Sequence, residues 1–195
     1  MSEHTTHTAK IIAFVGLPGA GKSEAVDYVC AKGYPKVYGG GLIVEGVKEL
    51  GLDVTPENEK HYRETMRAKH GKDIFIKLVA EQMHNLVSAG QRRIVFDGLY
   101  MWSEYKYLKH EFPGELLVVA IVAPRRLRHR RLSQRPIRPL THDEANQRDW
   151  AEIENLEKGG PIAIADYFVQ NDHDLETLHR QIDQVLDATQ FLAHS

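Results

Sequence analysis

The chain has 195 residues, 42% hydrophobic and 27% charged, with 25 basic and 27 acidic side chains for a formal net charge of −2. This balance belongs to an ordinary globular chain and excludes a general electrostatic attraction to nucleic acid or membrane. The single cysteine, Cys30, excludes an internal disulfide, and the 11 histidines fall in no metal-ligand spacing.

Residues 1–9 are polar and read as a flexible tail with no signal segment, and no run approaches the roughly 20 apolar residues of a membrane span. Both features point to the cytoplasm, without a membrane partner. Ile11–Val15 is an apolar run ending at Gly16, as in a strand buried on both faces. From Lys22 to about Lys32, Val26, Val29 and Cys30 share a helical face, and Gly33 stands where a helix stops. Pro35–Tyr38 predicts a short strand, and a helix follows over Ile43–Leu50, beyond Gly39-Gly40-Gly41. Thr55-Pro56-Glu57 offers a capping hydroxyl, a first-turn proline and an acid, so a helix runs from there to about Lys69. Phe75, Leu78, Val79, Gln82, Leu86 and Val87 recur at helical spacing and predict another helix over Asp73–Ser88.

Ile94–Phe96 is a second buried strand, closing on Asp97-Gly98, and Glu104–His110 has a helical pattern. Leu116–Val122 is the strongest strand in the chain. Arg125–Arg131 is a basic helix, Gln134–Leu140 is punctuated by prolines, and Thr141-His142-Asp143-Glu144 is a capping box opening a helix that reaches about Lys158. Asp166–Val169 is the last strand, and Leu175, Leu178, Ile182, Val185 and Leu186 mark the closing helix. Strands alternating with helices predict an α/β fold: a parallel sheet of about five strands with helices on both faces. One domain spans residues 10–190, with helical insertions at about 40–88 and 134–160.

Gly16-Leu17-Pro18-Gly19-Ala20-Gly21-Lys22-Ser23 matches G-x-x-x-x-G-K-[ST] at every fixed position, after a strand and before a helix. Glycines let the backbone curl round a phosphate with its N–H groups inward, and the following helix adds its positive end. Lys22 reaches the β and γ phosphates, and the Ser23 hydroxyl is a Mg²⁺ ligand. Asp97 at a strand end either closes a turn or serves chemistry, as a second Mg²⁺ group or as a proton acceptor. The arginines between Arg125 and Arg138 fit either a solvated basic helix or a lid over polyphosphate. No aromatic residues are interleaved among them, which speaks against nucleic acid. Arg63 and Arg67, four apart, share one helical face. Arg67 either complements a helix end or meets an acceptor phosphate.

These residues resemble the P-loop small-molecule kinases, in particular the adenylate-kinase type of nucleoside-monophosphate kinase, and also the dephospho-CoA-kinase-like proteins. The likeness covers about residues 10–188. Gly16–Ser23 is similar to the adenylate-kinase form of the loop, and Asp97-Gly98 stands where these kinases carry an aspartate. Arg131 and Arg135 resemble the pair entering the lid, Arg138 and Arg148 the pair that clamps the transferring group, and Asn171 opens the expected base-recognition loop. Gly39-Gly40-Gly41 and Tyr100 depart from relatives with an acid and an arginine at those points. The resemblance implies ATP as donor, Mg²⁺, and a small phosphate-bearing acceptor held by Arg63 and Arg67 in the 40–88 insertion. The expected activity is phosphorylation of a nucleoside or deoxynucleoside monophosphate. Dephospho-CoA phosphorylation and a nucleotide-gated binding protein are the alternatives.

Overall fold

The structure is a computed structural model and describes residues 9–192. Five strands, β1 (Lys10–Val15), β2 (Lys36–Tyr38), β3 (Arg93–Asp97), β4 (Leu116–Val122) and β5 (Tyr167–Gln170), form one sheet in the order β2-β3-β1-β4-β5. Every pairing is parallel, with Ile11 opposite both Ile94 and Leu116. Nine helices complete the described chain: α1 (Lys22–Cys30), α2 (Gly39–Glu49), α3 (Pro56–His70), α4 (Ile74–Ser88), α5 (Trp102–Glu111), α6 (Arg125–Ser133), α7 (His142–Glu154), α8 (Gly159–Ala163) and α9 (Leu175–Ala188).

The alternation of side chains along a strand divides the core in two. Ile11, Ala13 and Val15 face Met83, Val79, Leu108 and Phe112, beneath α4 and α5. Ile12 and Phe14 face Val26, Val29, Leu178 and Ile182, beneath α1 and α9. The β1 run is continuously apolar because both of its faces are covered. Cys30 packs against this second cluster, and burial raises its thiol pKa. At the sheet edge where β1 starts, Lys10 is hydrogen-bonded to the Thr189 carbonyl, and Arg93 donates to the carbonyls of Phe191 and Gln190 at 2.7 and 3.0 Å. The end of α9 is thereby tied down at the edge opposite the loop after β1.

Helix caps follow the sequence closely. Thr55 Oγ1 accepts from the Asn58 N–H at 3.2 Å, and the Thr141–Glu144 box closes in both directions. Two helices differ from expectation. The second starts at Gly39 rather than Ile43, directly after β2, and Gly40 and Gly41 lie against Tyr38. A Cβ on Gly40 would fall 2.5 Å from the Tyr38 hydroxyl. The helix from Thr141 ends at Glu154 rather than near Lys158. Glu157 there adopts φ 51°, a left-handed conformation that an α-helix cannot continue through, and α8 restarts at Gly159. The tail expected over residues 1–9 lies outside the described residues apart from Ala9, which is buried. No helix among the described residues is long and apolar enough to cross a membrane.

Candidate active site

Because all five strands run the same way, their carboxyl ends share one edge, where open parallel sheets place their ligand crevices. Val15 leads there into the loop, Tyr38 and Asp97 end neighbouring strands in register, and Asn171 follows β5. The Gly16–Ser23 loop and α1 border a cleft of about 430 Å³. Its walls also include Tyr38, Asp97, Tyr100, Arg131, Arg135, Arg148, Glu152 and Lys158. Five cations against three carboxylates (Glu24, Asp97 and Glu152) make the cleft positive in a molecule whose net charge is −2.

Three side chains hold the loop by its carbonyls. Arg128 Nη1 donates to the Pro18 carbonyl at 3.0 Å, Arg131 Nη1 to the Gly19 carbonyl at 3.4 Å, and Asn171 Nδ2 to the Ala20 carbonyl at 2.7 Å. In a trans peptide the C=O of one residue and the N–H of the next point in opposite directions. Pinning these carbonyls outward therefore turns the N–H groups of Gly19 and Gly21 toward the cleft, while the Ala20 N–H closes a turn on Leu17. Gly21 is needed here twice: φ is 101°, and a Cβ would sit 2.2 Å from the Asn171 amide nitrogen. With the unpaired N–H groups at the start of α1, this curl can hold an anion. Lys22 bridges the cleft to Asp97 by a direct ion pair, both side chains largely buried.

Arg128 is buried, and its guanidinium makes two 2.7 Å hydrogen bonds to Asp149 of α7, to which His129 adds a third contact at 3.0 Å. Burial raises the Asp149 pKa, but the hydrogen bonds from Arg128 and His129 outweigh it, and the carboxyl stays below its ordinary value. Sequence reasoning grouped Arg128 with the other basic residues of its helix. Its bracing role has no local signal, since its partner lies 21 positions away.

The structure brings Lys22, Ser23, Asp97, Arg131, Arg135 and Arg148 to one cleft, together with Gly16, Leu17, Pro18, Gly19 and Gly21. It does not bring Ala20, which is buried beneath the loop. Asn171, expected at the nucleotide, is buried, and its side chain is engaged with Ala20 and Arg131 behind the loop. Arg138, expected beside Arg148, lies outside the cleft on an exposed segment with φ 52°. Lys158, Glu152 and Tyr100 line the cleft without having been assigned a role there by the sequence.

A second cavity, about 250 Å³, adjoins the first through Tyr100, which lines both. Arg63 and Arg67 enter it from α3 among Ile43, Phe75, Val79, Phe96 and Leu156. The Nε atoms of both arginines are buried without a hydrogen-bond partner. Glu104, which lines this second cavity, accepts from the Tyr100 and Met101 N–H groups, both at 3.0 Å. Burial, and secondarily Asp97, pushes the Tyr100 phenol above its ordinary range, so it remains a proton donor at neutral pH.

The fold is that of small-molecule kinases. Shikimate kinase from Bacteroides thetaiotaomicron superposes with a TM-score of 0.57 at 15% identity, covering 93% of this chain and 98% of that one. Dephospho-CoA kinase from Campylobacter jejuni gives 0.55 at 17%, covering 93% and 97%. No family model matches the chain. Sequence likeness is closer to a UPF0200 protein of Thermococcus kodakarensis, 31% identical over 180 residues. That match takes in 91% of this chain and 96% of its relative, nearly the full length of both, and on it the chain belongs to the UPF0200 family.

Proposed function

We propose that the chain transfers the γ-phosphoryl group of ATP, with Mg²⁺, to a small anionic acceptor, a nucleoside or deoxynucleoside monophosphate. The observation that carries this reading is the pair of cavities meeting at Tyr100. One is a positive cleft behind a phosphate-curling loop; the other is an apolar chamber holding two arginines with unpartnered Nε atoms. A buried donor without a partner is costly, and an anionic acceptor would relieve both arginines at once.

In this reading the inward N–H groups and Lys22 hold the donor phosphates, with Lys22 leaving Asp97 for them. Ser23 and Asp97 suit Mg²⁺, which needs few protein oxygens when substrate phosphates supply the rest. Mg²⁺ would neutralise charge on the β and γ phosphates. Arg131, Arg135 and Arg148 add planar donors round the transferring group, and Arg138 would join them if the 134–140 segment folds over the cleft. A monophosphate acceptor is already ionised and needs no base.

The test is ADP release from MgATP across a panel of ribo- and deoxyribonucleoside monophosphates and dephospho-CoA, run beside Lys22→Ala. Turnover with at least one monophosphate is expected, falling at least about 10³-fold in the variant. Turnover of dephospho-CoA alone would move the receiving group to a hydroxyl and give its proton to Asp97. MgATP binding with no turnover on any acceptor would replace the kinase reading by a nucleotide-gated one.

A further inference from the structure

The short turn after α7 contributes to both cavities: Leu156 lines the Arg63–Arg67 chamber and Lys158 lines the loop cleft. Between them Glu157 holds φ 51°, which lets neighbours two apart serve different chambers. Non-glycine residues held in this region are strained and cluster at functional sites. The Lys158 N–H donates to the Glu152 carbonyl at 3.1 Å and fixes the turn to the end of α7.

The Lys158 side chain is 11% exposed, and its ammonium lies 4.4 Å from the centroid of the Tyr100 ring, which lines both cavities. It pairs with Glu152, a carboxylate only 4% exposed as a residue, which also receives Arg148 at 3.3 Å. Two cations share one buried carboxylate, so this wall keeps a net positive charge. A purely structural pair would need only one cation. An ammonium carries three donors, and pairing with Glu152 leaves donors free for a phosphate oxygen.

Resting on the phosphoryl-transfer reading, we propose that Lys158 is a catalytic residue that touches the transferring phosphoryl group at the boundary between donor and acceptor, with Glu152 as the positioning residue that aims it. In the step, an acceptor phosphate oxygen bonds to the γ phosphorus as the bond from that phosphorus to the β–γ bridging oxygen breaks. ADP leaves with the electron pair, and no proton moves. The equatorial oxygens carry the charge on the way across, and Lys158 meets them from the cleft wall it shares with Glu152 and Tyr100. Its contact therefore belongs to the transition state more than to bound ATP.

The experiment compares the full-length wild type with Lys158→Met and Lys158→Arg, using MgATP and whichever monophosphate of the panel the wild type phosphorylates. MgADP affinity by equilibrium titration reports the donor site separately. Lys158→Met should lower kcat at least about 10²-fold, as loss of one transition-state donor does, while MgADP affinity changes less than about threefold. Lys158→Arg should recover part of kcat. Should the methionine variant unfold, Lys158→Gln, which can still donate to Glu152, takes its place and is held to the same fall in kcat. A folded variant with kcat within about threefold of wild type overturns the role of Lys158 and leaves phosphoryl transfer standing. Absence of Lys22-dependent turnover in the wild type removes phosphoryl transfer itself, and the role of Lys158 with it.

Discussion

At the scale of single residues, the acceptor chamber is the sharpest case of chemistry left open by the fold. Arg67 has its Nε buried and unpartnered, and its guanidinium carbon lies 6.0 Å from the Phe75 ring centroid. Arg67→Ala should raise the acceptor KM at least about tenfold, the loss expected for a charged hydrogen bond, and leave MgADP affinity unchanged. Equal loss on both substrates would detach Arg67 from the acceptor. The Gly16–Ser23 loop and Asp97 were legible in the sequence because their spacing is local and their residue types are demanding. The roles of Arg128 and Lys158, and the hold of Asn171 on the loop, were not, because each acts on a partner that local spacing does not reveal. Asn171 reaches Ala20 across 151 positions. Arg138, set beside Arg148 by the resemblance, lies here on an exposed segment with φ 52°.

The element that governs the loop is α7. It carries Asp149, and through Arg128 that carboxylate reaches the Pro18 carbonyl. Motion of α7 would thus be felt at the phosphate curl through one buried ion pair. Asp149→Asn leaves Arg128 charged and incompletely paired in the interior, and should cost about 3–5 kcal/mol in unfolding free energy. The pH dependence has a definite sign. The Asp149 carboxyl is lower in the folded chain than in the unfolded one, so its contribution is complete above the unfolded value of about 3.9 and fades as pH falls through the folded value. Denaturant titrations between pH 3 and pH 7 should therefore show an acid-side loss in wild type that is smaller in Asp149→Asn. Parallel profiles would deny the pair this role. Helices with clean caps, such as α3 and α7 at their starts, were readable in advance. The end of α7 was not, because a left-handed Glu157 has no residue-type signature.

For the whole molecule, the alternation of apolar runs with amphipathic segments was enough to give a parallel sheet covered on both faces. Strand order was not readable, because β1 takes its neighbours from β3 and β4 and those pairings are long-range. Net charge was a poor guide to the site, since a near-neutral chain gathers five cations round one cleft. Filling that cleft should stabilise everything the loop is tied to. MgATP at about 100 times its Kd adds about 2.7 kcal/mol, which for a chain of this size raises Tm by about 5–11 °C. A thermal melt checks this, and Lys22→Ala should abolish the shift; an equal shift in the variant would place the nucleotide elsewhere. The position of β1 at the centre of the sheet also bears on how the protein is born. This strand leaves the ribosome first among the five, yet its first partner begins only at Arg93, roughly 80 residues later. At about 5–20 residues per second the Ile11–Val15 run waits on the order of 4–16 s with neither edge paired. During that interval it is a sticky apolar segment that a chaperone would have reason to shield, and the helices of residues 39–88 are made while it waits.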